Sequence, residues 1–597
     1  MISFSPLAAF LGACLLASVF VMAREICNIN STFIHSEQLI FTILPPIILE
    51  VLSFTVVVRM ALLGYYFPDE RREWWGRMGG MIHRIAVCWL IVIGCSFIGR
   101  DLFDFVKNKH TSEQLYNFFT ASWGATVLVG LRSAFTSKTS GEKENQSVIA
   151  GAMEIFALVA PYVFGLGMLI FLPSLLDKII SPFKIDNLSA WPFLLVTFTL
   201  GLLTWGLAWR IGVNQFSMHL FYKNRLVRAF LGATRFRADR IKTANPFTGF
   251  DRKDDLILAA FRNKKKIYVN EEDEEKAGNY LGPYPLLNAT LNASQTLNLD
   301  RQDRKGESFI FSPLFCGFDF GKIRANTDSQ KKSYDFAYRP TEDYAYPHGG
   351  PHLGTAMAIS GAAANPNQGY HTSAPTAFLL SLFNVRLGWW IGNPRKSCWQ
   401  ESDPKSGITY IMYDLLGKSD TSKDFVCLSD GGHFDNMGLY ELVRRRCRNI
   451  ILGDGEQDAQ FTLEGLANAI RKCRIDFGVE ISFDNINDIT GLSEQRHSKR
   501  QYAFGTIHYP GNPGFIGRIL YIKSSVTEKE TIDIREYALK NKTFPHQSTG
   551  DQFFDEAQFE SYRKLGLSIV DKLFPQKQKH HQTIKTGLPT IPTSVDN

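Results

Sequence analysis

Six apolar runs crowd the first 210 residues, and no other feature narrows the possible folds of this chain so sharply. They cover residues 5–23, 38–58, 83–99, 118–131, 148–176 and 190–209. A helix needs about 20 apolar residues to cross the hydrocarbon core of a bilayer. Five of the runs come close to that length. The sixth, 118–131, is short and carries Ser122, Trp123 and Thr126, so it reads either as a span or as a helix lying in the interface. A buried core helix would explain any one run, but a globular domain rarely strings so many together. Residues 5–23 lack the basic region that opens a signal peptide, and the run is long for one. Because the chain starts inside an apolar run, an upstream part is expected to be missing.

Basic residues suggest an orientation for such a region. Arg59, Arg71, Arg72, Arg77 and Arg84 follow the second run, and Arg210, Lys223, Arg225, Arg228, Arg235 and Arg237 follow the last. Six spans would place both groups on the cytoplasmic side; five would not. Tyr65, Tyr66, Trp74, Trp75, Trp205 and Trp209 sit where aromatic belts would lie. No paired charges interrupt the runs as an ion path would require, which disfavours a transporter. The expectation is therefore an integral membrane protein with its globular part in the cytoplasm.

The remaining sequence is of another kind. The overall hydrophobic fraction of 45% is ordinary, and the net charge of +7 is spread thinly. No long Lys/Arg block is present, so nucleic acid is not an expected partner. A modest basic excess fits an anionic lipid surface better. The nine cysteines form no C-x-x-C pair, so they read as core thiols of a reducing compartment, without a disulfide framework or metal site.

Strand-like runs occur at 309–315, 425–428, 449–452, 477–483, 503–509 and 519–524. Helical patterns occur at 375–383, 437–446, 463–474 and 553–573. Their interleaving predicts an α/β architecture, a layered sheet with helices on its faces. Residues 326–354 read as a long loop. The expected division is a transmembrane helical region (1–210), a basic connector (211–280), a globular unit (281–575) and a disordered polar tail (576–597).

One stretch concentrates chemistry: Ser429-Asp430-Gly431-Gly432-His433-Phe434-Asp435-Asn436-Met437-Gly438. A strand ends in Asp-Gly-Gly, and a helix is expected to start near Asp435 or Asn436, both good N-caps. The glycines allow a tight turn and a close substrate approach. A carboxylate at a strand tip can act as base toward a hydroxyl. The alternative is that it does no more than cap the turn, and spacing alone favours that reading. His433 reads as a turn residue. Ser360 lacks the glycine two residues before it that a nucleophile elbow needs.

The run SDGGHFDNMGLYELVRRRC resembles the aspartate-bearing segment of bacterial patatin-like phospholipases. Similarity extends to GPYPLLNATLN from Gly282, ESFIFSPLFCG from Glu307, the segment from Gly354 to Pro394, NAIRKCRIDFGVEI from Asn468 and FPHQSTGDQFFDEAQFESYRKLG from Phe544. ERREWWGRMGG from Glu70 is similar to the segment preceding membrane helices in large members. The resemblance implies a serine–aspartate lipid acyl hydrolase acting on membrane lipids without a cofactor. It implies that Asp430 is the general base, that Gly431 and Gly432 shape the turn, and that His371 and Ser373 line the substrate pocket. The family's G-x-S-x-G elbow and G-G-G-x-R oxyanion loop are missing from this sequence. Without both, the reaction loses orders of magnitude in rate. The expectation is thus an incomplete patatin-like sheet domain whose nucleophile lies on a separate N-terminal segment. The alternative is a non-catalytic membrane protein that keeps the fold as a lipid-binding or scaffold surface.

Overall fold

The computed structural model describes residues 42–51, 53, 78–94 and 191–210, and then 213–575 apart from 263–281, 295–302, 319–336 and shorter gaps. The apolar runs at 5–23, 118–131 and 148–176 and the tail at 576–597 lie outside the described residues.

The membrane-spanning region is overturned. Among the described residues no helix is long and apolar enough to cross a membrane. Of the second and third apolar runs, residues 42–51 and 83–94 are described, and they are helical. The helix Trp191–Arg210 carries Thr197, Thr199, Gly201, Thr204 and Gly206 among its apolar residues. An integral-membrane placement loses its support with it.

The mixed helix-and-sheet character holds, in two sheets. Strands β1 (Leu287–Asn292), β2 (Gly306–Phe311), β3 (Phe315–Phe318), β4 (Tyr338–Pro340), β5 (Trp389–Gly392) and β6 (Phe425–Asp430) form the first, in the order β4-β3-β2-β1-β6-β5. Every pairing in it is antiparallel. Strands β7 (Asn449–Asp454), β8 (Glu480–Phe483), β9 (Tyr502–His508) and β10 (Ile516–Lys523) form the second, in the order β7-β10-β9-β8. There β7 and β10 run parallel, and the other pairs are antiparallel.

Alternation along the strands sets the layers. Val426 and Leu428 of β6 join Trp389, Ile391, Phe309 and Ile359 on one face. Phe425 and Cys427 turn the other way and meet Trp390, Tyr410 and Tyr413. The helix Leu353–Ser360 thus covers one face and the helix Gly407–Leu415 the other. A strand buried on both faces reads as the unbroken apolar run seen at 425–428. In the second sheet, Ile519 and Tyr521 of β10 pack toward the helix Glu464–Phe477, while Leu520 packs toward Ile534, Leu565 and Ile569.

The sheets are tied together by side chains. Arg304 makes two bonds of 2.7 Å to the Asp476 carboxylate, which also accepts from the Tyr440 hydroxyl at 2.7 Å. The Ser308 hydroxyl donates to Glu441 at 2.7 Å. The expected long loop at 326–354 is partly ordered structure: it supplies β4 and the start of the helix Leu353–Ser360. Tyr344 within it is fully buried and donates to the Gly392 carbonyl at 2.8 Å.

Candidate active site around the Asp430 turn

Asp430 closes β6, the strand held between β1 and β5. Its neighbours run antiparallel to it, so this is not the parallel-sheet crevice that a βα reading would place there. The chain turns at Gly431–His433 in a short 3-10 helix. One oxygen of Asp430, Oδ1, accepts the Gly432 N–H at 2.6 Å. Burial pushes the carboxyl up to about 6, and the Gly432 N–H offsets part of that rise. A carboxylate of this kind changes charge close to neutral pH, which suits a general base.

Gly431 and Gly432 serve packing more than backbone freedom, since neither adopts a positive φ. A Cβ on Gly431 would lie 2.7 Å from the Asn288 carbonyl oxygen. One on Gly432 would lie 2.5 Å from Asn436 Oδ1 and 3.0 Å from Asp430 Oδ1. The left-handed glycine of this segment is Gly438, at φ 68°. The helix starts later than expected, at Leu439. Its N-cap is Gly438, not Asp435 or Asn436; the Asp435 carboxylate accepts the Met437 N–H at 3.0 Å and the Tyr440 N–H at 2.8 Å.

Three side chains of β1 hold the turn, and sequence reasoning missed them. Asn288 donates to the Asp435 carbonyl at 2.6 Å. Thr290 donates to the Gly431 carbonyl at 3.3 Å. Asn292 donates to the Ser429 hydroxyl at 2.9 Å and accepts the Gly369 N–H at 2.8 Å. The available signal was the period-two spacing of polar residues in LNATLN, which puts all three on one face. The Ser429 hydroxyl also pairs with His433 Nδ1 at 2.9 Å. Ser429 is fully buried, so this serine–histidine pair braces the turn and does not present a nucleophile.

Tyr222 was also illegible in the sequence. The helix His219–Leu226 packs on the helix Leu353–Ser360. There the Tyr222 hydroxyl comes within 2.6 Å of where a Gly361 Cβ would stand. Burial, and then the Asp430 carboxylate, raise the pKa of the Tyr222 phenol. Tyr222 is therefore an electrostatic neighbour of Asp430. His371 and Ser373 lie outside the described residues. Among the described residues, Asp430 lines neither the cavity of about 20 Å³ beside Phe434 and Tyr440 nor the one of about 490 Å³ beside Phe236 and Lys242.

The close approach at Gly431 gives an expected result. Gly431→Ala forces its methyl against backbone and is expected to cost about 1–3 kcal/mol. Gly453→Ala, where a Cβ meets nothing within 4 Å, is expected to leave the urea midpoint in place. Equal midpoints for the two variants would refute the tight packing at Gly431. Comparison with known proteins finds no family model, no curated protein and no solved structure that matches this chain.

Proposed function

We propose that this chain supplies the general base, Asp430, of a serine–aspartate lipid acyl hydrolase. The observation that carries the reading is the half-buried strand-tip carboxylate of Asp430, held by the Gly432 N–H at 2.6 Å and raised by desolvation to about 6. The motif resemblance around it supports the substrate class. In this reading a serine on a separate segment gives its hydroxyl proton to Asp430 as its oxygen attacks the ester carbonyl. The protonated Asp430 then returns the proton to the departing alcohol, leaving an acyl-serine. Water, activated by the same carboxylate, releases the fatty acid and restores the serine.

Translation of the DNA upstream of the Met1 codon is expected to reveal G-x-S-x-G. Co-expression of that segment with this chain is expected to yield phospholipid ester hydrolysis. Asp430→Asn should lower that hydrolysis by about 10²–10⁴-fold. Hydrolysis that survives Asp430→Asn, or an upstream sequence without an elbow, would overturn the reading.

One observation favours a second reading. Asp430 lines neither of the two cavities described above. A non-catalytic scaffold or lipid-binding role requires no access to that carboxylate. It predicts that Asp430→Asn leaves the chain's cellular role intact.

A further inference from the structure

Residues 218–254 carry nine Lys or Arg against three Asp. Two of the three acids are turned inward. Asp251 and Asp254 are buried, and Arg235 reaches both at 2.7 Å. Arg240 holds Asp254 from the other side at 3.1 Å. Arg225, Arg237, Lys242 and Lys253 remain exposed, with Asp239 as the exposed acid of the segment.

Large apolar side chains stand among these cations. Phe236 is 83% exposed and Ile241 is 72% exposed. Phe221 and Phe230 are about half exposed, and the Arg225 guanidinium covers the Phe221 ring at 4.3 Å. Phe236 stands at the start of the short helix Arg237–Thr243, and Ile241 lies within it. Beside them is a concavity of about 490 Å³ bordered by Phe236, Lys242 and Lys253. Asp239 also lines it, so Lys242 and Lys253 leave the concavity with a small basic excess.

Exposed rings beside exposed cations match a particular surface. Apolar side chains enter the boundary between headgroups and acyl chains, while Lys and Arg meet anionic headgroups. A duplex nucleic acid would use the cations and leave Phe236 and Ile241 in water. We propose that residues 218–245 and 249–254 form a docking face that lies on an anionic phospholipid bilayer, with Phe236 and Ile241 inserted and Arg237, Lys242 and Lys253 on the headgroups. This is contact with a bilayer surface and involves no spanning helix. The same segment carries Tyr222 to the Asp430 turn, so docking and candidate site share the helix His219–Leu226.

Hydrogen exchange of the intact chain tests this locally. Phosphatidylcholine vesicles are compared with and without phosphatidylserine. Amides of residues 230–243 are expected to exchange several-fold more slowly only when phosphatidylserine is present. The double reversal Arg237→Glu/Lys242→Glu should abolish that protection, and Phe236→Ser should weaken it. Exchange unaffected by phosphatidylserine, or protection that survives the double reversal, would overturn the proposal. Asp430→Asn is expected to keep the protection, so failure of the hydrolase reading and failure of this one are told apart.

Discussion

Lys523→Met is expected to destabilise the protein by about 3–5 kcal/mol, the cost of stripping the partner from a buried charge. Lys523 is 0% exposed at the end of β10, where its register partner is Asp454 at the end of β7. Its ammonium lies 3.0 Å from the Asp454 carboxylate and 3.6 Å from that of Asp458. It also donates to the Glu456 carbonyl at 3.4 Å. Tyr521 donates to the same Asp454 oxygen as Lys523. Methionine keeps the stem volume but leaves two buried carboxylates facing only neutral donors. The double variant Lys523→Met/Asp454→Asn is expected to recover part of the loss, because it removes one of those charges. A second readout is His546, which burial and then the charge of Lys523 hold down to about 4. Its titration, followed by NMR, should move upward in Lys523→Met. Arg563→Ala breaks an exposed pair with Glu560 and should leave the melting temperature unchanged. If Lys523→Met melts where the parent does, the cluster holds no net stabilising charge pair.

Asp430→Asn is expected to act on stability in the opposite direction. The Asp430 carboxyl has an ordinary value of 3.8 and is pushed up to about 6 in the fold. Between those values the unfolded chain has lost the proton while the folded chain retains it. Stability from this group is therefore present in acid and falls as pH rises from about 4 to about 6. Above that range the ionised carboxylate costs the fold on the order of 2–3 kcal/mol. Asparagine retains an oxygen for the Gly432 N–H and carries no charge. The variant should be more stable than the parent near neutral pH by up to that amount. It should also lose the acid-side slope that this group contributes. Urea unfolding across pH 4–8 decides the matter: parallel curves for parent and variant would show that burial does not shift this carboxyl. A substitution that removes the proposed base while relieving the fold is the pattern expected where a site is held at a cost in stability.

Legibility followed alternation. Strand β7 reads clearly because its burial alternates residue by residue, and β9 and β10 follow the same pattern closely enough to be placed within a few residues. The helices Glu464–Phe477 and Glu556–Leu573 present amphipathic stripes and were found near 463–474 and 553–573. Strand β6 was legible because both of its faces are buried. Strand β1 was not, since asparagine is depleted in strands and LNATLN has two. Their amides serve the Ser429–Asp435 turn, which only the fold reveals. Strands β3 and β4 are too short to show a period. Asp430 was found from its motif, whereas Tyr222 reaches it from a distant helix with no local mark. The apolar runs misled most: among the described residues they supply no helix long and apolar enough to cross a membrane.

Asn288, Thr290 and Asn292 stand two residues apart on the strand that zips both β2 and β6. Slipping β1 by one position would rotate all three away from the turn together. The geometry of the Asp430 loop is therefore inherited wholesale from the sheet's centre and switches as a unit. Gradual retuning by small shifts of this strand is closed to it. Divergence among descendants of this sequence is then channelled into the segments that overlie the turn, and the ladder beneath behaves as a fixed template.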